Sequence, residues 1–213
     1  MIKPVGSDEL RPLFVYDPDT HHELMHEAES LPSVTISSQA AGNAVMMGGG
    51  YFTPLDGFMN VADAVSVAET MKTTGGMFFP VPVLCLLDSV EAIGDAKRIT
   101  LRDPNMEGNP ALAIMDIEAI EEVSDEQMAR MTNKVYRTED MEHPGVSAFN
   151  NQGRFAISGP IQVLHLSYFQ DDFPDTFRTA VEIRNEISER GWSRVVAFQT
   201  RNPMHLAHEE LCH

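Results

Sequence analysis

Eleven consecutive residues, Gln199-Thr200-Arg201-Asn202-Pro203-Met204-His205-Leu206-Ala207-His208-Glu209, place a guanidinium, two side-chain amides, a hydroxyl and two imidazoles in one short stretch of chain. These groups suit an oxyanion. The planar fork of Arg201 can bond two oxygens of a sulfate or phosphate at once, and the amides of Gln199 and Asn202 and the hydroxyl of Thr200 can orient it. His205 and His208 are spaced i,i+3, which puts both rings on one helical face, where they donate N–H bonds to the same anion.

Such a cluster works only if the backbone holds it. Arg194-Val195-Val196-Ala197-Phe198 is dense in β-branched residues and predicts a short buried parallel strand. Asn202 is a good N-cap and Pro203 suits the first helical position, so a helix is predicted from Pro203. Chemistry at a strand-to-helix junction is the rule in open α/β sheets, because free N–H groups and the positive end of the helix dipole point outward there. Upstream, Phe177, Ala180, Val181, Ile183 and Ile187 recur at helical spacing and predict a helix from Pro174 to Arg190, closed by Gly191.

The rest of the chain reads differently. Between Thr35 and Leu101 short apolar runs are broken by Gly and Pro: Val34-Thr35-Ile36, Val45-Met46-Met47, Phe78-Phe79 and Val81 to Leu87. They predict a β-rich domain with a helix inserted near Val61 to Met71. A helix is predicted for His21 to Ser30, and another for Asp116 to Met131 on the spacing of Ile117, Ile120, Val123, Met128 and Met131. Phe155 to Leu164 reads as the last strands, and Asp171-Asp172-Phe173-Pro174 as the boundary. Gly48-Gly49-Gly50 lacks the Lys-Ser/Thr of a phosphate loop and reads as a tight turn.

The run Gln-Thr-Arg-Asn-Pro-x-His-x-x-His-Glu resembles the signature of the ATP sulfurylase (sulfate adenylyltransferase) family. Other stretches agree: Gly50-Tyr51-Phe52-Thr53-Pro54-Leu55-Asp56-Gly57-Phe58-Met59, Phe79-Pro80-Val81-Pro82-Val83 and Ser158-Gly159-Pro160-Ile161. The resemblance implies an α+β fold. Residues 1–168 would form a PUA-like mixed β-barrel domain, and residues 169–213 the first α–β–α elements of a doubly wound α/β nucleotidyltransferase domain, here truncated. It implies the reaction of ATP with sulfate to give adenosine 5′-phosphosulfate and pyrophosphate, in sulfate activation or in reverse during sulfur oxidation. Magnesium would accompany ATP, with Thr200, Arg201, Asn202, His205 and His208 catalytic, Gln199 joining them in holding sulfate and ATP, and a homo-oligomeric parent enzyme. Leu206 stands where the family usually has arginine, and no Gly-Arg-Asp-His-Ala-Gly-like loop follows. The sequence is therefore expected to be part of a longer polypeptide, inactive as these 213 residues alone.

Composition sets limits. A formal net charge of −17 opposes binding to nucleic acid or anionic membrane, and the approach of ATP and sulfate. A local positive site must override that field within about 8–10 Å, the Debye length at physiological salt. Cys85 and Cys212 give no disulfide framework, no stretch is apolar enough to span a membrane, and the N-terminus has no signal-like apolar core, so the expected location is the cytoplasm.

Three other readings compete. His205, His208, Glu209, Cys212 and His213 could chelate zinc, since His208 and Cys212 are spaced i,i+4. His21, His22 and His26 could do likewise, although a solvated helix face explains them, as it does the acidic run Glu118 to Glu126. A β-rich interaction module with a vestigial tail is the non-catalytic alternative.

Overall fold

The computed structural model describes residues 3–200 and 203–211. Helix α1 (Pro18–Ser30) starts at Asp17, whose carboxylate accepts the Thr20 N–H, with Pro18 in the first turn where a missing donor costs nothing. Strand β1 (Ser33–Thr35) leads into helix α2 (Ser38–Gly48), capped by Ser37. Val45-Met46-Met47 therefore lies in a helix, not a strand. Ala40, Ala41, Ala44, Val45, Met47 and Gly48 form its buried face, and this alanine-rich window carries the helical period that the apolar run alone conceals.

Strand β2 (Gly57–Phe58) precedes helix α3 (Val61–Thr70), which bears out the helix predicted near Val61 to Met71. Phe78 and Phe79 form no strand beyond a single bridge from Lys72 to Phe78, and Val81 to Leu87 contributes only β3 (Cys85–Leu87). Strands β4 (Arg98–Arg102), β5 (Ala111–Asp116) and β6 (Ala119–Glu122) follow. The helix predicted for Asp116 to Met131 is thus corrected: its first half is strand, and helix α4 (Asp125–Tyr136) begins only at Ser124. The reciprocal capping box between Ser124 and Gln127 marks that start. A spacing of three at Ile117, Ile120 and Val123 also fits a strand with loop ends, and pairing with a neighbour decides it.

After helix α5 (Pro144–Asn150), strand β7 (Phe155–Val163) organises the sheet. Its first half pairs with β3 on one edge and β6 on the other, and its second half pairs with β2 and β5, all antiparallel. The change of partners falls at Ser158-Gly159-Pro160. Gly159 adopts φ +140°, and a Cβ there would lie 2.0 Å from the Asp116 carbonyl, so only glycine fits the corner. The strands run β1-β4-β5-β7-β2, with β3 and β6 also on β7, giving a curled sheet closed over one core. Ile99, Leu101, Leu112, Met115, Ile157 and Val163 lie at its centre. Cys85 is fully buried there, and burial pushes its thiol up to about 12, so it supplies no thiolate nucleophile.

Helix α6 (Phe169–Asp172), helix α7 (Ala180–Glu189) and helix α8 (Leu206–Leu211) complete the described chain. Helix α7 does not begin at Pro174. Phe173 to Arg178 forms turns, and Thr179 and Glu182 make a second reciprocal capping box that fixes the start at Ala180. The strand predicted for Arg194 to Phe198 does not form. Its apolar side chains are exposed, Val196 to 85%, and among the described residues no neighbouring strand pairs its backbone or covers its faces. Helix α8 starts at Leu206 instead of Pro203.

Candidate functional site

The oxyanion cluster lies beyond α7, so its placement begins with how α7 is held. The Ala180 N–H donates to the Gly49 carbonyl at 2.9 Å, and the Tyr51 hydroxyl donates to the Arg178 carbonyl. Gly49 and Tyr51 belong to the turn that ends α2, where Gly50 takes φ +82°. The glycine triplet is therefore conformational: it turns the chain so that a backbone carbonyl and a phenol meet the start of α7.

Burial raises the Tyr51 hydroxyl above its usual range, and the Glu182 carboxylate adds to it. Tyr16 is raised by burial in the same way, against a lowering hydrogen bond with Thr179. Both stay protonated donors at neutral pH. Glu182 is held below the usual carboxylate value chiefly by the Thr179 backbone N–H, then by the Thr179 hydroxyl. The sequence reading missed Gly49, Tyr51 and Thr179 as positioning residues, although the Thr179-x-x-Glu182 spacing was a visible capping signature.

Beyond α7, Gly191 turns at φ +65° and Trp192 returns its N–H to Ile187 at 3.2 Å, with the Arg190 guanidinium 4.8 Å from the indole centre. Gln199 is exposed and Thr200 half-buried. Arg201 and Asn202, the proposed anion fork and helix cap, lie outside the described residues, as do Cys212 and His213 of the zinc reading. His205 takes the capping position on α8, its carbonyl accepting the N–H groups of His208 and Glu209 at 2.8 and 3.2 Å.

The structure brings the two histidines together. Their ring centroids are 3.9 Å apart at 34°, and the His205 backbone N–H donates to His208 Nδ1 at 3.3 Å. With Nδ1 accepting, a neutral His208 carries its proton on Nε2. The Phe198 ring lies 5.5 Å from His208, so the end of the extended segment meets the start of the helix. Among the described residues no group of three or more His, Cys, Asp or Glu side chains could hold a metal ion. His21 points Nε2 at the Leu164 carbonyl at 2.7 Å. The acidic run is divided as well: Glu121 accepts the Val61 N–H at the start of α3, and Asp125 pairs with Arg154 at 2.9 Å.

Fold and site define a class: a curled β domain followed by the short helices α6, α7 and α8. Residues 2–166 match the family described as PUA-like domain, and residues 174–213 match the family described as ATP-sulfurylase. The chain belongs to the PUA-like domain family. It is 74% identical over 212 residues to a sulfate adenylyltransferase of Allochromatium vinosum, covering 100% of this chain and 53% of that protein. It is likewise 74% identical over 212 residues to one from a Riftia pachyptila sulfur-oxidizing endosymbiont, covering 100% and 48%. A solved structure titled hexameric APS kinase from Thiobacillus denitrificans superposes with a TM-score of 0.73 at 28% identity, over 100% of this chain and 36% of that one. The chain spans about half the length of the curated relatives it matches. No helix among the described residues is long and apolar enough to cross a membrane.

Proposed function

We propose that this chain supplies the sulfate-binding and part of the ATP-binding machinery of a sulfate adenylyltransferase, which joins ATP and sulfate to give adenosine 5′-phosphosulfate and pyrophosphate. The observation that carries the reading is the 74% identity across 212 residues to relatives so named. In the reaction a sulfate oxygen bonds to the α-phosphorus while the bond from that phosphorus to the oxygen bridging the β-phosphate breaks. Sulfate is already an anion, so no proton need be removed and no general base is required. Catalysis rests on positioning and on stabilising charge.

In this reading Arg201 grips two sulfate oxygens and Gln199 adds an amide donor. Thr200 and Asn202 orient sulfate and the α-phosphate, and His205 and His208 hold the phosphates as pyrophosphate departs. The Nε2–H of His208, left free to donate while Nδ1 accepts from His205, is suited to that role. None of the side chains assigned to the anions is a carboxylate that could anchor a hard cation, so magnesium would enter on the oxygens of the ATP polyphosphate. Supply of ATP and sulfate places the protein in the cytoplasm, and the hexameric title of the structural neighbour supports a homo-oligomeric whole enzyme. One relative's source, a sulfur-oxidizing endosymbiont, favours operation in the reverse direction as a second reading.

The test is a chimera in which this chain replaces its matching residues in the Allochromatium vinosum relative. Sulfate-dependent release of pyrophosphate from ATP, and ATP formation from adenosine phosphosulfate and pyrophosphate, are the expected results. A folded chimera with neither activity would remove the proposal.

A further inference from the structure

A cleft of 420 Å³ opens where the N-terminal segment, the turn after α2 and the loop around Phe78 to Val81 meet α7. Tyr51, Phe52, Phe78, Phe79 and Val81 wall it, with Phe52 and Phe79 edge to face at 5.5 Å. None of these residues belongs to the sulfate and ATP cluster. Its size and lining fit a small-molecule site, in which a few polar groups set the orientation of an otherwise apolar ligand.

Nearly every polar side chain at the cleft is already engaged. The Thr53 hydroxyl donates to the Gly50 carbonyl at 2.8 Å and accepts the Arg11 N–H at 3.0 Å, and the Tyr51 hydroxyl is held by the Arg178 carbonyl. Arg184 is the exception. Its half-buried side chain lies on the wall of this cleft and of a neighbouring one of 400 Å³, and it makes no hydrogen bond or ion pair among the described residues. An unpaired guanidinium beside aromatic rings, in a chain of net charge −17, selects for one negative charge next to a flat apolar surface.

We propose that this cleft binds a small aromatic anion: a planar apolar ring that lies against the aromatic wall and carries a single sulfonate, carboxylate or phosphate group paired with Arg184. A nucleotide fits less well, because the nitrogens of a purine would be buried with no free donor or acceptor to meet them.

The test uses the 213-residue chain itself. Trp192 is the sole tryptophan and lines the neighbouring cleft beside Arg184, so its emission reports occupancy. Calorimetry gives the stoichiometry. The probes are p-toluenesulfonate, its uncharged analogue methyl p-tolyl sulfone, and adenosine monophosphate. Saturable one-to-one binding of the sulfonate is expected, with much weaker binding of the sulfone and the nucleotide. Arg184→Met should weaken the sulfonate by about tenfold or more and leave the sulfone unchanged, the loss expected for a charge-assisted pair. Arg184→Lys should restore part of it. Should Arg184→Met melt at lower temperature, Phe78→Ala removes an exposed wall ring and should weaken sulfonate and sulfone together. No saturable binding by the native chain, equal affinity for sulfonate and sulfone, tighter binding of the nucleotide, or indifference to both Arg184→Met and Phe78→Ala would overturn the assignment.

Discussion

Replacing Thr179 by alanine should loosen the helix that carries the proposed site while leaving the β domain intact. Thr179 is 4% exposed, and its hydroxyl accepts the Glu182 N–H at 3.3 Å and donates to the Glu182 carboxylate at 2.8 Å. Its own N–H donates to that carboxylate at 2.7 Å and survives the substitution. Loss of a threonine N-cap costs about 1–2 kcal/mol. Because α7 joins the rest of the chain mainly through the Ala180 bond to Gly49 and the Tyr51 bond to Arg178, that cost falls on local opening of α7. An equilibrium shifted by that amount changes about 5–30-fold. When opening and closing are fast relative to cleavage, trypsin reads the open population directly. Cleavage after Arg184 and Arg190 should therefore accelerate by that factor, while cleavage after Arg130 in α4 stays constant as an internal reference. Thr179→Ser, which caps about as well, should cleave like the native chain. Unchanged cleavage at Arg184 and Arg190 in Thr179→Ala would refute the view that this capping box anchors α7.

The same box makes α7 acid-sensitive. Glu182 has a folded pKa below its usual 4.5, so the open form takes up protons first as pH falls. The stabilisation is complete above 4.5 and is lost as pH drops toward the lowered folded value. Trp192 fluorescence in urea should show α7 weakening as pH falls below about 4.5, with a smaller pH dependence in Thr179→Ala, and equal pH dependence in the two proteins would count against it. Gly57→Ala puts a Cβ 1.9 Å from the Gly159 carbonyl at the sheet corner, a backbone clash that should cost at least about 2 kcal/mol in urea unfolding. Gly42→Ala, mid-helix in α2 with nothing within 4 Å of the new Cβ, should instead stabilise by about 0.5–1 kcal/mol. A destabilised Gly42→Ala would show that α2 packs more closely there than described.

Legibility of the fold followed the range of the forces involved. Local signals read correctly: the helix near Val61 to Met71 forms as α3, the glycine triplet makes the turn, and Gly191 takes positive φ just past Arg190, which caps the end of α7. Signals that depend on distant partners did not. Ala119 to Glu122 is strand because β7 passes alongside, and Arg194 to Phe198 is left without a partner strand among the described residues. Val45-Met46-Met47 is helical because the alanines preceding it carry the helical period that a three-residue apolar run conceals. At the site, the i,i+3 spacing fits the two adjacent histidine rings, whereas the Gly49 and Tyr51 contacts to α7 cross more than a hundred residues of sequence and leave no local trace.

The account stands on an oxyanion held at the junction between the extended segment and α8. The most direct measurement is pyrophosphate release from ATP, with and without sulfate, by the Allochromatium vinosum chimera carrying Arg201→Ala. Sulfate-dependent release should vanish while the protein still folds, and Arg201→Lys, a point charge without the fork, should recover little of it. Turnover in Arg201→Ala matching that of the unsubstituted chimera, with an unchanged requirement for sulfate, would contradict the assignment.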